Sequence, residues 1–275
     1  MKILTCSGLD STRSFREKYM VKLVPLKIEI EGKEYIDNEE LDTKIILNEM
    51  SLSPTSPKTS CPSPHDFMAQ FTKGVTNIVV TISSKLSGTY NSAIMAKEMY
   101  EEENKDSKVE IIDSLSASAG GVPIVMKIQE LYEAGIRDRE LIDEINAFVD
   151  SMKTIFIIDS LENLAKAGRM SLVVEKIASL LDIKPVMQGT GGDIKLLKKV
   201  RGHKRAMKTL LDEIGNAHLK LENRILSISH SNSEEKALKL KAEVEKRYKF
   251  KQIIINETLG LSTVYTGGGG IVVSF

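Results

Sequence analysis

The sequence predicts an α/β fold on three observations. Short apolar runs rich in β-branched residues recur along the chain, longer amphipathic stretches separate them, and the alternation runs from the first residues to the last. Apolar runs bounded by polar residues read as buried strands. Parallel strands need crossover connections that cover the sheet faces, so this alternation gives α/β layers, in two domains, with mostly parallel or mixed sheets. Taken in order, Lys2–Thr5 opens the series as a strand, and Lys27–Ile30 and Glu34–Ile36 flank a turn at Gly32 as a hairpin. Helices are expected over 41–50 and 66–73, a strand over Asn77–Ile82, a helix over 89–104, and a strand over Val109–Ile112. Helices over 118–135 and 138–152 come next, then a strand over Ile155–Ile158 and helices over 171–182 and 203–219. A strand over Ile225–Ile228, a helix over 233–246 and a strand over Ile253–Ile255 complete the pattern, with an apolar end at Ile271–Val273. The domain change falls near 150–160, dividing the chain into 1–153 and 154–275, although no shift in composition marks it.

Composition narrows the class of function. With 275 residues, 41% of them hydrophobic and 28% charged, the chain is long enough for a sizeable core and too apolar for wholesale disorder. The 38 basic residues balance the 38 acidic ones, and only the cluster Lys195, Lys198, Lys199, Arg201, Lys204, Arg205 is locally basic. A nucleic-acid partner is therefore not expected. Two distant cysteines, Cys6 and Cys61, cannot make a zinc site or a disulfide framework, which points to a reducing cytoplasm. The apolar stretch in MKILTCSGLD is too short for a signal-peptide core, and no run approaches the ~18 apolar residues of a membrane span.

Four segments stand out chemically. From Ser51 to Pro64, Ser, Thr and Pro fill 11 of 14 positions and include four of the seven prolines, a composition that by itself favours a surface linker over a ligand-facing loop. After the strand ending at Ile82, Ser83-Ser84-Lys85-Leu86-Ser87-Gly88-Thr89 opens a helix at the carboxyl end of a strand, where open α/β sheets bind ligands. Unpaired N–H groups of a first helical turn together with hydroxyls suit a carboxylate or phosphate, but Ser87 or Thr89 could equally serve as a helix cap. A second hydroxylic loop, Asp113 to Gly121, reads as capping by Asp113 or Ser118. The glycines Gly267–Gly270 after Tyr265 and Thr266 suit a close backbone approach or a turn. His230 is the one histidine at a strand end, though a capping role is the commoner one there. No G-x-S-x-G elbow, nucleotide-phosphate loop or H-E-x-x-H motif is present, and the histidines are too scattered to suggest a metal. The residues read as a binding protein for an anionic small molecule, with no metal and no catalytic group of its own.

Several segments together resemble the DegV family of bacterial fatty-acid-binding proteins. They are Thr59-Ser60-Cys61-Pro62-Ser63-Pro64, Ile82-Ser83-Ser84-Lys85-Leu86-Ser87-Gly88-Thr89-Tyr90, Asp159-Ser160-Leu161-Glu162-Asn163-Leu164 with Ala167-Gly168-Arg169, Ile183-Lys184-Pro185, and Val200-Arg201 before Lys204-Arg205-Ala206. Each is weak alone, but their order along nearly the whole chain is specific. The resemblance implies two α/β domains with a long-chain fatty acid between them, its carboxylate held by Thr59 and Ser87 with Ser60 and the Gly88 N–H in support. It also implies that the protein is the non-catalytic, lipid-presenting subunit of a fatty acid kinase. A separate ATP-dependent kinase would then form the acyl phosphate for phospholipid synthesis, and Arg169, Arg201 and Tyr265 would lie on the partner or phosphoryl face.

Three positions depart from the family pattern. The family's first strand ends in T-D-S-T, whereas Thr5 is followed here by Cys6-Ser7-Gly8, with Asp10 beyond. Tyr265 stands for the histidine of H-T-G-x-G, and a phenol stays neutral near pH 7 where an imidazole could carry charge. Ala167 replaces the first glycine of G-G-R. The Tyr265 change leaves room for a lipid store or sensor with no kinase partner. A hydrolase built on Ser87 is the remaining alternative, and it lacks an assignable histidine base.

Overall fold

The computed structural model describes residues 1–170 and 183–275, so the helix expected over 171–182 lies outside the described residues. Four strands, all parallel, form the first sheet in the order β2 (Val21–Val24), β1 (Lys2–Cys6), β6 (Thr76–Thr81), β7 (Lys108–Asp113). Near-continuous apolar strands are what a sheet covered on both faces requires. Ile3, Ile78, Val80 and Ile112 pack on one face with α5 (Gly121–Glu133) and α6 (Asp138–Ser151), which supply Val122, Ile128, Leu141 and Ile145. Leu4 and Val79 pack on the other face with Ala93, Ala96 and Tyr100 of α4 (Thr89–Glu103).

A six-stranded sheet follows in the order β10 (Asp193–Arg201), β9 (Ile183–Thr190), β8 (Thr154–Ile157), β13 (Ile271–Ser274), β11 (Ile225–His230), β12 (Gln252–Glu257). The strands of the first sheet thus end at Asp113 and those of this one begin at Thr154. One face, with Ile155, Ile157, Leu226, Ile228 and Val273, is covered by α8 (His203–Gly215) and α9 (Glu234–Arg247). Helix α9 buries Ala237, Leu240 and Val244, at helical spacing. It starts with Glu234 and Glu235 and ends with Lys246 and Arg247, the arrangement that complements the helix dipole. The opposite face carries Phe156, Met187 and Val272 and looks toward the first sheet.

Among the described residues, parallel pairing in this second sheet is limited to β11 with β12. The mixed character has two sources: β9 runs antiparallel to both β8 and β10, and the last strand, β13, inserts antiparallel between β8 and β11. The expected hairpin forms as β3 (Lys27–Ile30) and β4 (Lys33–Ile36), and β5 (Lys58–Ser60) joins it as a third strand. That strand corrects the linker reading of the Ser/Pro segment. Its end is fixed too: the Ser63 hydroxyl accepts from the Asp66 N–H, the Asp66 carboxylate accepts from the Ser63 N–H, and Pro64 opens α3 (Pro64–Met68). The Ser92 hydroxyl of α4 donates to the Pro62 carbonyl at 2.5 Å and ties the segment down.

Smaller helices complete the fold: α1 (Arg13–Lys18), α2 (Thr43–Leu52), α7 (Glu162–Lys166) and α10 (Gly260–Thr266). Among the described residues no helix is long and apolar enough to cross a membrane.

Candidate functional site

Between the two main sheets lies a cavity of about 300 Å³, within the size range of small-molecule pockets. Its walls are mostly apolar. Leu26, Ile82, Leu115 and Ala117 come from the N-terminal half, and Phe156, Ile158, Leu164, Ile194, Leu261 and Val272 from the C-terminal half. A polar end is made where three segments meet: Thr59, Ser60 and Cys61 on and after β5, Leu86, Ser87 and Gly88 before α4, and Tyr265 and Thr266 at the end of α10. The sequence-expected residues Thr59, Ser60, Ser87, Gly88, Arg169 and Tyr265 therefore all line one cavity. Arg201 does not; it sits at the exposed end of β10.

Local bonding sets what each group can do. The hydroxyls of Thr59 and Tyr265 pair at 2.8 Å across 206 residues of sequence. Each such hydroxyl has one proton and two lone pairs, so the pair keeps a further donor free for a ligand. The cap position of α4 is Gly88, which has no side-chain cap bond, but the Ser87 hydroxyl accepts from the Thr89 N–H at 3.3 Å and pairs with Thr89 Oγ1 at 2.8 Å, so it serves the first turn while lining the cavity. With Gly88 at the cap, a Cβ there would meet Cys61 Sγ at 3.6 Å, an ordinary contact, so space alone does not demand the glycine. Arg169 is half-buried and its Nε donates to the Leu86 carbonyl at 3.0 Å, which turns the guanidinium toward the loop that holds Ser87.

The other expected loop behaves differently from its sequence reading. Asp113 accepts from the Leu115 N–H at 3.0 Å and from the Ser84 N–H at 3.2 Å, so it stabilises two loops at once. Ser118 is no cap; it adopts a left-handed backbone, φ 53, and its hydroxyl donates to Asp10. His230 is buried, outside the cavity lining, and its Nδ1 accepts from the Ser233 N–H at 3.3 Å ahead of α9. Burial pushes its pKa down, so the neutral ring is favoured.

Cys6, which stands where the family pattern has an acid, is fully buried, and its Sγ accepts from the Ile82 N–H at 3.3 Å. Burial pushes the thiol up to about 12, so it stays protonated near neutral pH and is a poor nucleophile. Among the described residues there is also no group of three His, Cys, Asp or Glu side chains placed to hold a metal.

Sequence reasoning named Arg169 and Tyr265 from the second half but missed the β9–β10 turn and the start of α10. The turn of the β9–β10 hairpin brings Gly192 and Asp193 into the wall, and the Ser83 hydroxyl donates to the Gly192 carbonyl at 2.8 Å. Gly191-Gly192 between Thr190 and Asp193 was the available signal, a two-residue glycine turn of the hairpin type. Ser262 and Leu261 on α10 were likewise unread.

Known proteins share this architecture. A DegV domain-containing protein of Streptococcus gordonii is 32% identical over 281 residues, covering 100% of this chain and 98% of its own length. The crystal structure of a DegV family protein from Ruminococcus gnavus ATCC 29149 with vaccenic acid superposes with a TM-score of 0.93 at 32% identity, over 100% of this chain and 99% of that one. The Streptococcus pneumoniae Fatty Acid Kinase (Fak) B3 protein loaded with linoleic acid gives a TM-score of 0.90 at 28% identity, over 100% and 98% of the two chains. The family model described as "Uncharacterised protein, DegV family" matches residues 1–275, and the chain belongs to the DegV family.

Proposed function

We propose that this protein binds one long-chain fatty acid in the cavity and presents its carboxylate to a separate, ATP-dependent fatty acid kinase. The observation that carries the reading is an apolar cavity between the sheets that ends in converging hydroxyls. At ~0.8 kcal/mol per buried CH₂, an acyl chain of about 15 methylenes offers on the order of 12 kcal/mol before ordering costs, so the tail supplies affinity and the polar end supplies direction. Thr59, Ser60, Ser87 and the Gly88 N–H are the proposed carboxylate ligands. The proposed seat lies between an N-terminal domain, 1–153, and a C-terminal domain, 154–275. Arg169 lines the cavity and Arg201 does not, so in this reading Arg169 meets the carboxylate end or the phosphoryl group and Arg201 meets the kinase itself. The phosphoryl chemistry belongs to the kinase, and this chain acts as the non-catalytic lipid-binding subunit, in a bacterial cytoplasm, upstream of phospholipid synthesis.

Native mass spectrometry of the protein from its expression host, followed by lipid extraction, tests the binding step; one long-chain fatty acid per chain is expected. Incubation with ATP, magnesium and the loaded protein should then yield acyl phosphate only when a fatty acid kinase is added. A loaded protein that no kinase phosphorylates would leave a lipid store or sensor, the reading that Tyr265 at the polar end favours. Acyl phosphate made by the purified chain alone would overturn the non-catalytic assignment.

A further inference from the structure

Two carboxylates that play no part in the proposed ligand contacts are buried side by side near the cavity, both on the N-terminal half and both bonded to one helix of the C-terminal half. Asp10 and Asp37 are each fully enclosed. Asp10 Oδ1 accepts from the Leu259 N–H at 2.9 Å, and its Oδ2 accepts from the Ser118 hydroxyl. Asp37 Oδ1 accepts from the Gly260 N–H at 2.6 Å and its Oδ2 from the Leu261 N–H at 3.0 Å. The cap residue of α10 is Leu259, which has no side chain able to accept, so the two carboxylates satisfy the first N–H groups of this helix from 249 and 223 residues away. The fit is tight. A Cβ on Gly260 would meet Asp37 Oδ1, Ile28 Cδ1 and Leu41 Cδ2 at 2.8 Å each, and a Cβ on Gly8 would meet Leu261 Cδ2 at 2.8 Å. One turn further along, α10 delivers Tyr265 to Thr59.

We propose that Asp10 and Asp37 are positioning residues, a two-carboxylate clasp that fastens the start of α10 to the N-terminal half and thereby holds Tyr265 against Thr59. The binding consequence rests on the fatty-acid reading above; the clasp itself does not. Closing the cavity requires the halves to meet, and the three N–H bonds of the clasp join them beside residues that line it, Ser118, Leu261 and Ser262.

The clasp is also sensitive to protons. Burial raises Asp10 to about 7, against the pull of Ser118, Leu259 and Ser262, with Asp37 adding to the rise, and burial raises Asp37 to about 6. The other titratable groups on the surrounding elements are the neutral Cys6 thiol, Arg16 held by Ser11 and Glu39, and His230 and Glu257 at the strand ends before α10. The neighbouring helices add Lys44 and Glu49 on α2 and the Glu162–Lys166 pair on α7. When α10 lifts, the carboxyls meet water and return toward ordinary values, so opening releases protons and becomes easier as pH rises through about 7.

Hydrogen–deuterium exchange of the ligand-free protein tests this. Asp37→Ala and Asp10→Ala should each speed exchange over residues 259–266 by tenfold or more while β8 and β13 keep their protection. Exchange of the same segment in the unmodified protein, corrected for intrinsic chemistry, should quicken from pH 5.5 to 8. Asp10→Asn retains an acceptor for the Leu259 N–H and cannot ionise, so it should keep the protection and flatten the profile. Unchanged protection of 259–266 in both alanine variants, equal loosening of β8 and β13, or a wild-type pH profile in Asp10→Asn would each overturn the clasp. If the alanine variants do not fold, Asp37→Asn and Asp10→Asn decide the same question from their exchange profiles. A parallel titration with oleic acid separates the two claims: Tyr265→Phe should weaken binding in the unmodified background and have no further effect in Asp37→Ala. Failure of the unmodified protein to bind oleic acid would remove the fatty-acid reading and leave the exchange result standing.

Discussion

At the scale of single residues, the polar end of the cavity makes unequal demands on its hydroxyls. Thr59 and Ser87 face the proposed carboxylate directly, and a hydrogen bond to a charged group is worth ~1.5 to 3 kcal/mol, so Ser87→Ala and Thr59→Val should each weaken fatty-acid binding by roughly tenfold or more. Tyr265 acts on Thr59 across a neutral bond of 2.8 Å, and neutral bonds are worth ~0.5 to 1.5 kcal/mol. Tyr265→Phe should therefore cost less than Thr59→Val, roughly two- to tenfold. Isothermal titration with a long-chain fatty acid and with the alcohol of equal length checks all three, the alcohol binding less well to the unmodified protein. Equal affinity of Ser87→Ala, Thr59→Val and wild type would remove both residues from the carboxylate contact. The arginines divide in the same way. Changing Arg201, which lies outside the cavity wall, should reduce kinase-dependent phosphorylation while lipid affinity stays nearly intact, whereas Arg169→Ala, at the wall, should lower both.

At the scale of elements, what the sequence made legible follows from where each element finds its partners. Strands β1, β6, β7, β8 and β11 and helices α4, α5, α6, α8 and α9 carry their periodicity in their own residues, as in the Leu141, Ile145, Val149 series of α6. Helix α10 does not. Its N–H groups are satisfied by Asp10 and Asp37, and its 7 residues are nearly all buried, so neither a local cap nor an amphipathic period marks it. Strand β5 is three residues long and pairs only by virtue of β3. The site was legible to the extent that its hydroxyls sit on two loops with distinctive order, and the walls were not, because core and cavity residues share one chemistry. The β9–β10 hairpin offers the sharpest test at this scale. Gly192 has φ +88, and a Cβ there would lie 2.6 Å from Ser83 Oγ and 3.1 Å from Lys85 Cγ, whereas Gly191, at φ +56, has nothing within 4 Å. Both alanine substitutions meet left-handed strain of about 1 kcal/mol, but Gly192→Ala must also push the turn off Ser83. It should destabilise by about 1 to 3 kcal/mol more than Gly191→Ala in denaturant unfolding, and release fatty acid faster. Equal effects of the two substitutions would mean that the turn is not seated on Ser83.

At the scale of the whole molecule, burial of unpaired acids sets the pH dependence of stability. In the native protein Asp10 titrates at about 7 and Asp37 at about 6, both above the ordinary 3.8 because burial disfavours their charge. The native state therefore holds more protons than the unfolded chain between these limits. The stability that this contributes is fully present below about pH 4 and is lost as pH rises through 6 and then 7. His203 and His230 act oppositely. Burial holds both below 6.5, so their contribution is present above that value and lost as pH falls through their native values. The two effects oppose each other while the unfolded histidines lose their charge around 6.5, so the Asp10 contribution is isolated by comparison with Asp10→Asn, which keeps both histidines. Between pH 6.5 and 8 the unmodified protein should accordingly lose about 1 kcal/mol of stability relative to Asp10→Asn, read from melting temperatures, since only the last part of the Asp10 loss falls in this interval and one pKa unit is about 1.4 kcal/mol. Asp10→Asn cannot ionise at this position, so the gap by which it outmelts the unmodified protein should be wider at pH 8 than at pH 6. A gap that stays constant from pH 6 to 8 would place the pH dependence in other groups and mean that Asp10 is ionised and well solvated in the native state.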